Sequence, residues 1–535
     1  MKNSLKLLIL IVVIATFFRL LFVATNPPAL TWDEAAWGYN AYSLGIDGKD
    51  EFGKLLPVSY LESFGDFKPP LYAYLAVLPV KLFGLNEFST RLPSVLFGIG
   101  TVVATYFLVL QIFGQDKKKE ALFSSFILSI SPWHIMLSRA AFEANVSTFF
   151  IVFGVYLFLK GINEKAYFMF FAMLSFVCSL YTFNSARVVA PILVLIFSLV
   201  FYKRIIKNLK IVLVSVAVGF VICLPLMIFL ASPQAKLRFN EVNIFSDITV
   251  IERTNQQIQN DNNSAFSKLI HNRRLAYAVE YIRHYFDNLT PKYLFISGDG
   301  NPKFSIQDVG QFYLWEAPFL VLGLLYLFRK RVKHWWVVPV VIVVAIIPAG
   351  FARETPHALR TEAAIPYFQI VSALGVLFAL DYLKKWRKLG VASLGLIISI
   401  GVIYFAHNLF NHYQKDYSRE WQYGYKEAIE YVSEVEDQYE KVYTTDVLGR
   451  PYIYYLLYLK YDPVRFRNDS DVFRESFGFV HVTRFGKYYF PKNLGQIKDK
   501  NALFIGASGD VPQDARILKK FYLLNGRESL VAYTL

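Results

Sequence analysis

The sequence predicts a polytopic α-helical membrane protein with a small extracytoplasmic α/β domain at its C-terminal end. Three observations carry this prediction. Of 535 residues, 55% are hydrophobic and only 18% are charged, whereas a soluble domain is nearer half apolar and a quarter charged. About eleven apolar runs approach the length that crosses a bilayer, roughly 20 residues. The basic clusters between these runs all fall on one side of the predicted topology.

The runs lie near 5–24, 90–113, 121–138, 143–160, 167–186, 187–202, 211–231, 312–328, 336–352, 363–382 and 391–409. No small-residue cleavage site follows the first, so it reads as a retained span rather than a signal peptide. Six clusters then share one side: Lys2/Lys6, Lys117–Lys119, Lys160/Lys165, Lys203/Arg204 with Lys207 and Lys210, Arg329–Arg331 with Lys333, and Lys384/Lys385 with Arg387/Lys388. Positive residues favour the cytoplasm, so the N-terminus is expected there. The long loops 25–89 and 232–311, the hairpin tip 139–142, the loop 353–362 and the segment from 410 onward fall on the opposite side. The expected domains are a membrane domain over 1–409 and a soluble domain over 410–535. Within the latter, Glu420–Glu436 has helical spacing, Lys441–Thr445 and Ala502–Ile505 read as strands, and Ile453–Tyr461 fits either element.

The net charge of +15 does not point to nucleic acid. Residues 410–535 carry 18 Lys/Arg against 17 Asp/Glu, so nearly all the excess lies among the spans, where it records topology. Cys178 and Cys223 sit inside apolar runs, which argues against a disulfide framework. There is no internal repeat of the kind an inverted-repeat transporter shows, and no P-loop or dinucleotide fingerprint.

The polar residues worth weighing lie at the ends of spans on the outer side. In TWDEAAWGYN, Thr31 and Glu34 fit a capping box, and Asp33 falls in the first helical turn, where the helix dipole favours negative charge. Trp37 shares its face one turn on. In FGDFKPPLYAYL, Lys68 precedes two prolines that hold it extended and start a short helix, and Asp66 can pair with it. Arg91 enters the second span. Lys68 and Arg91 suit a lipid phosphate or, alternatively, snorkel as interfacial anchors. Arg139 and Glu143 flank the next outer hairpin. Asn184 and Arg187, Asp299 and Asn301, and His357 and Arg360 repeat the pattern in later loops. Charges at membrane depth are costly and tend to line functional cavities. The basic members outnumber the acidic ones, which favours an anionic ligand. His284 and Asp287 are too few to define a metal site.

These motifs together resemble the GT-C membrane glycosyltransferases, most closely glycosyltransferase family 39, which includes the protein O-mannosyltransferases and the lipid A aminoarabinose transferases. The resemblance rests on Asp33-Glu34, Lys68-Pro69, Arg91, FEAN at 142–145, YTFNSAR at 181–187, GDGNPK at 298–303 and PHALR at 356–360, and covers roughly 1–410. It implies an inverting transfer of a monosaccharide from a polyprenyl-phosphate donor to an acceptor hydroxyl at the outer face of the cell membrane. Asp33 would be the general base and Glu34 its support. Lys68 would stabilise the leaving phosphate together with Arg91, Arg139, Arg187 or Arg360. Trp37, Asp66, Asn184, Asp299, Asn301 and His357 would line the substrate cavity. Glu143 matches the family's second acidic site, which positions the acceptor or a metal. No cofactor is certain, and a divalent metal is the one candidate. Phe67 stands where the aminoarabinose transferases have Glu, which weakens the metal role, and Ala36 stands where they have Arg, so that phosphate binding would lean on Arg139, Arg187 or Arg360. The acceptor is left open among protein, glycolipid and cell-wall polymer. A lipid or sugar flippase without transferase chemistry is the alternative.

Overall fold

The computed structural model describes residues 2–236, 243–475 and 480–535. Every one of the eleven apolar runs contains a helix. Among the described residues, six helices are long and apolar enough to cross a bilayer: Asn3–Leu20, Glu87–Phe113, Glu143–Asn163, Leu209–Leu230, Glu362–Tyr382 and Lys384–Asp416. The pair Lys118–Ile130 and Pro132–Arg139, bent by 57°, forms a seventh candidate. The other four runs hold helices of 13 to 15 residues. The protein is therefore a multi-pass membrane protein. Its first helices are α1 (Lys2–Leu20), α2 (Trp32–Asp47), α3 (Leu71–Phe83), α4 (Glu87–Phe113), α5 (Lys118–Ile130), α6 (Pro132–Arg139) and α7 (Glu143–Asn163).

The chain forms two compact units. The first comprises Met1–Phe18, Gly98–Leu137 and Ala144–Ile403. Hydrophobicity alone does not drive helices together in lipid, so small residues that let backbones approach matter more. Helices Glu316–Lys330 and Ile365–Tyr382 meet in this way. A Cβ on Gly323 would lie 2.0 Å from the Val371 carbonyl oxygen, and one on Gly375 would lie 1.9 Å from that of Phe319. Glu316, fully buried, ties the same pair. Its carboxylate accepts from the Tyr313 amide (3.2 Å) and the Ser372 hydroxyl (3.0 Å).

The second unit comprises Arg19–Phe97, Ser138–Glu143 and Tyr404–Leu535. Its first outer loop holds α2, a hairpin of β1 (Leu61–Ser63) and β2 (Asp66–Lys68), and α3. Phe64 (φ 59°) and Gly65 (φ 80°) turn the hairpin. Positive φ at both central residues matches the right-handed twist of paired strands. The C-terminal segment is α/β, as predicted. Its strands are β3 (Lys441–Thr444), β4 (Ser470–Arg474), β5 (Val480–Phe485), β6 (Tyr488–Tyr489), β7 (Ala502–Gly506), β8 (Arg516–Tyr522) and β9 (Glu528–Thr534). They form one sheet in the order β4-β5-β6-β3-β7-β9-β8, with β3 parallel to β6 and β7 and the remaining pairs antiparallel. The ambiguous Tyr-rich stretch is a helix, Pro451–Tyr458, with Pro at its first turn.

The C-terminal segment does not bury its core alone. Ala35, Ala36 and Tyr39 of α2, Phe64 of the hairpin and Ala76 and Val80 of α3 belong to the same apolar cluster as Ile429, Ile453, Leu456, Leu503 and Leu530. Polar contacts reinforce it. The Tyr454 hydroxyl donates to the Leu30 carbonyl (3.0 Å) and that of Tyr39 to the Tyr461 carbonyl (3.0 Å). Arg467 pairs with Asp47, and Lys426 with Glu87 (2.9 Å). The first outer loop and residues 404–535 thus share one apolar core within a single compact unit.

Candidate active site

The start of α2 follows from local sequence. The Glu34 amide donates to the Thr31 hydroxyl (3.3 Å) and the Thr31 amide to Glu34 Oε2 (3.0 Å), completing the capping box. This fixes Asp33 and Glu34 in the first turn, but their environments diverge. The side chain of Glu34 is 1% exposed and that of Asp33 is 53% exposed.

Glu34 is held from all sides. Its Oε1 accepts from Arg91 Nε and from the Ala141 amide, both at 2.9 Å, and its Oε2 also accepts from Arg91 Nη2 (3.3 Å). Arg91 is fully buried. Its remaining N–H groups donate to the carbonyls of Val23, Pro27 and Ala29. A guanidinium has five donors, and all five are engaged inside the protein. Trp421 covers it with its ring centroid 5.7 Å away. Arg91, expected as a phosphate ligand, therefore braces the turn before α2. Arg139 has a similar place. It is buried, donates to the carbonyls of Leu21 (2.8 Å) and Asn26 (2.7 Å), and lies 5.3 Å from the centre of the Phe410 ring.

Lys68 is the cation left facing the exposed carboxylate. Strand β2 holds it extended, and its ammonium donates to Asp33 Oδ1 while its side chain is 8% exposed. The ammonium lies 5.3 Å from the centre of the Trp37 ring and 5.4 Å from that of Phe64. Burial works against its charge, but the fields of Asp33, Asp66 and Glu143 outweigh burial and hold its pKa above the ordinary lysine value. Lys68 is thus permanently cationic at neutral pH. Trp37 is 1% exposed and packs on Tyr72, so it walls the lysine and does not line an open cavity. Asp66 is half-buried at the start of β2. Glu143 is half-buried at the first residue of α7, where the helix dipole favours a carboxylate.

The carboxylates that act most strongly on Lys68 are thus Asp33, Asp66 and Glu143. Arg91 and Arg139, two of the expected phosphate-binding cations, donate instead to backbone carbonyls. Sequence reasoning missed Trp421, Phe410 and the Ala141 amide. The first two come from a segment hundreds of residues away, and the third is a backbone group, so no local signal marks them.

The remaining predicted residues lie in the other unit. Asp299 organises its loop: Oδ1 accepts from the Asn301 amide (2.8 Å) and Oδ2 from the Ala358 amide (2.7 Å). Burial raises its pKa to about 6 despite those bonds. The Lys303 amide donates to the Asn301 side chain (3.0 Å). The His357 ring stacks on Phe304 (5.5 Å), and burial with the nearby Arg360 charge lowers its pKa to about 3, so it is neutral. Arg187 Nε donates to the Leu180 carbonyl (3.2 Å), and Asn184 is exposed. Arg360 borders a narrow cleft with Phe183 and Ser185. His284 contacts the Glu280 carboxylate through Nε2 (3.2 Å) and the Ala352 carbonyl through Nδ1 (2.8 Å), which makes it a structural histidine. Among the described residues, no three His, Cys, Asp or Glu side chains lie together as a metal-ligand set. With Phe67 at the position of the expected glutamate, the described residues do not fit the implied metal.

The sequence pattern of the family described as dolichyl-phosphate-mannose-protein mannosyltransferase matches residues 67–229. The match contains Lys68, Arg91, Arg139, Glu143, Asn184 and Arg187. A protein of Aquifex aeolicus with no described function is 37% identical over 107 residues, which is 20% of this chain and 21% of that protein. The chain spans about a fifth of the length of the curated relatives it matches. The crystal structure of ArnT from Cupriavidus metallidurans in the apo state superposes with a TM-score of 0.57 at 12% identity, covering 99% of this chain and 98% of that one. ArnT bound to undecaprenyl phosphate gives 0.58. The archaeal oligosaccharyltransferase AglB from Archaeoglobus fulgidus gives 0.50 at 15% identity, covering 85% of this chain and 63% of that one. At such identities the likeness is one of fold. The chain has the GT-C fold, and the resemblance read from its motifs is borne out.

Proposed function

We propose that this GT-C chain is an inverting glycosyltransferase. It moves a monosaccharide from a polyprenyl-phosphate donor to an acceptor hydroxyl at the outer face of the membrane. One observation carries the reading: a half-exposed carboxylate, Asp33, is paired with a buried, permanently charged lysine at a helix start braced from four chain segments. The matched family and the undecaprenyl phosphate captured on ArnT support a lipid-phosphate donor.

The steps follow from the charges. The donor phosphate competes with Asp33 for Lys68, and its arrival frees the carboxylate. Asp33 takes the proton of the acceptor hydroxyl as that oxygen attacks the anomeric carbon. The bond from that carbon to the phosphate oxygen breaks, and the polyprenyl phosphate leaves with the electron pair. Lys68 stabilises the charge that grows on it. Glu34, Arg91 and Arg139 support the site without touching substrate.

The test is reconstitution with polyprenyl-phosphate sugars. Asp33→Asn should lower transfer by roughly 100- to 10,000-fold, the range for losing a general base. Unchanged transfer in that variant would overturn the mechanism. Movement of the lipid-linked sugar across the bilayer without transfer would favour a flippase.

A further inference from the structure

A cavity of about 580 Å³ opens in the C-terminal segment, and neither Asp33 nor Lys68 is in its lining. Its walls are the loop after β3, strand β5 and the chain leaving β6. Tyr443, Tyr489 and Phe490 line it, together with Asp446, Arg450 and His481, whose polar groups are of both signs. The volume falls in the range of small-ligand sites, roughly 300–1,000 Å³. The position is also the expected one, since ligands of open α/β sheets bind outside the carboxyl ends of strands, and Asp446–Arg450 follow the carboxyl end of β3.

Two contacts connect this cavity to the candidate active site. Gly449 (φ 85°) packs closely against the indole of Trp32, the neighbour of Asp33; a Cβ there would come within 2.9 Å of the ring. The Arg450 guanidinium lies 4.9 Å from the centre of the Phe64 ring, and that same ring lies 5.4 Å from the Lys68 ammonium. The loop that floors the cavity thus rests on residues adjoining the base and its lysine. His481 is held by Glu475 (2.9 Å), which orients its ring.

We propose that this cavity binds a saccharide portion of the acceptor, an inference that rests on the transferase reading above. Aromatic faces carry negative charge density and attract the polarised C–H bonds of a pyranose face. Asp446 can accept from its hydroxyls, and Arg450 can donate to them. A peptide would ask instead for an exposed strand edge or an apolar groove. The acceptor hydroxyl would extend from the bound sugar toward Asp33.

The full-length protein in nanodiscs, applied to a printed array of synthetic bacterial surface oligosaccharides and peptides, tests this. Wild type and Asp33→Asn should retain the same saccharides. Tyr489→Ala and His481→Ala should each lower retention about ten-fold or more, as losing a stacking or hydrogen-bonding contact does. Thr483→Trp, which fills the mouth from an exposed position, should do the same, and Tyr489→Phe should retain binding. Retention of no saccharide, retention of peptides instead, or retention indifferent to the cavity variants would overturn the proposal. Saccharide retention by a protein that transfers no lipid-linked sugar would instead overturn the transferase reading and leave this site standing.

Discussion

Glu34 and Arg91, 57 residues apart, are joined by two hydrogen bonds with neither side chain open to solvent. The pair explains how one of two adjacent carboxylates becomes a brace and the other stays reactive. Glu34 binds the turn before α2, the start of α4 and the tip at Ala141 into one body. Asp33, one residue earlier, is turned outward by the helix that this body anchors.

Removing one partner of a buried ion pair leaves an uncompensated charge. Arg91→Ala should therefore destabilise the protein by about 3–5 kcal/mol, and Arg91→Lys should fare little better, because an ammonium has three donors where five are needed. Thermal unfolding in detergent measures both. Equal stability of Arg91→Lys and wild type would show that the carbonyl contacts to Val23, Pro27 and Ala29 matter little.

Part of this arrangement was legible in the sequence. Thr31 and Glu34 define a capping box across four residues, and the structure contains it. Pro69 and Pro70 predict an extended Lys68 before a helix, and β2 and α3 follow. Eleven apolar runs predict helices, and each contains one. What was not legible depends on distant contacts. Lys68 and Arg91 look alike as basic residues beside a span, yet one faces a solvated carboxylate and the other is enclosed by carbonyls. The helix Pro451–Tyr458 reads as strand or helix until its burial against α2 is known.

Asp299 gives a pH dependence with a definite sign. Its carboxyl titrates at about 6 in the folded protein against an ordinary value of 3.8, because burial disfavours the charge. The folded state therefore holds this proton more tightly than the unfolded chain. The stability it contributes is full below pH 3.8 and is lost as pH rises from 3.8 to about 6. Asp299→Asn should flatten the stability profile across that window. A profile between pH 4 and 6 identical to wild type would count against the assignment.

Gly323 and Gly375 make a prediction independent of the site. Each faces a backbone carbonyl of the opposing helix at a distance no Cβ can occupy. Gly375→Ala would force the helices apart, and overpacking of this kind costs about 1–3 kcal/mol. Gly395, which has nothing within 4 Å of a built Cβ, should tolerate the same change. Unfolding midpoints of Gly375→Ala and Gly395→Ala should separate clearly, and coincidence would argue against close helix contact.

The shared core bears on what the C-terminal segment does. Ala35, Ala36 and Tyr39 sit beside Asp33 on α2 and pack in the same cluster as Ile453, Leu456 and Leu530. Removing residues 410–535 would expose that face of α2, together with Arg91, which loses the cover of Trp421. The helix carrying the proposed base would lose much of its support, since helix stability in proteins comes mainly from packing of one face. A chain ending at 409 should therefore fail to transfer sugar and should show α2 cleaved readily by added protease. Arg467→Ala, which removes the contact with Asp47 at the far end of α2, should produce a milder form of the same protease sensitivity. If the truncated chain protected α2 as well as the full protein does, the C-terminal segment would be a separable domain and the core it shares with α2 would not be what holds that helix.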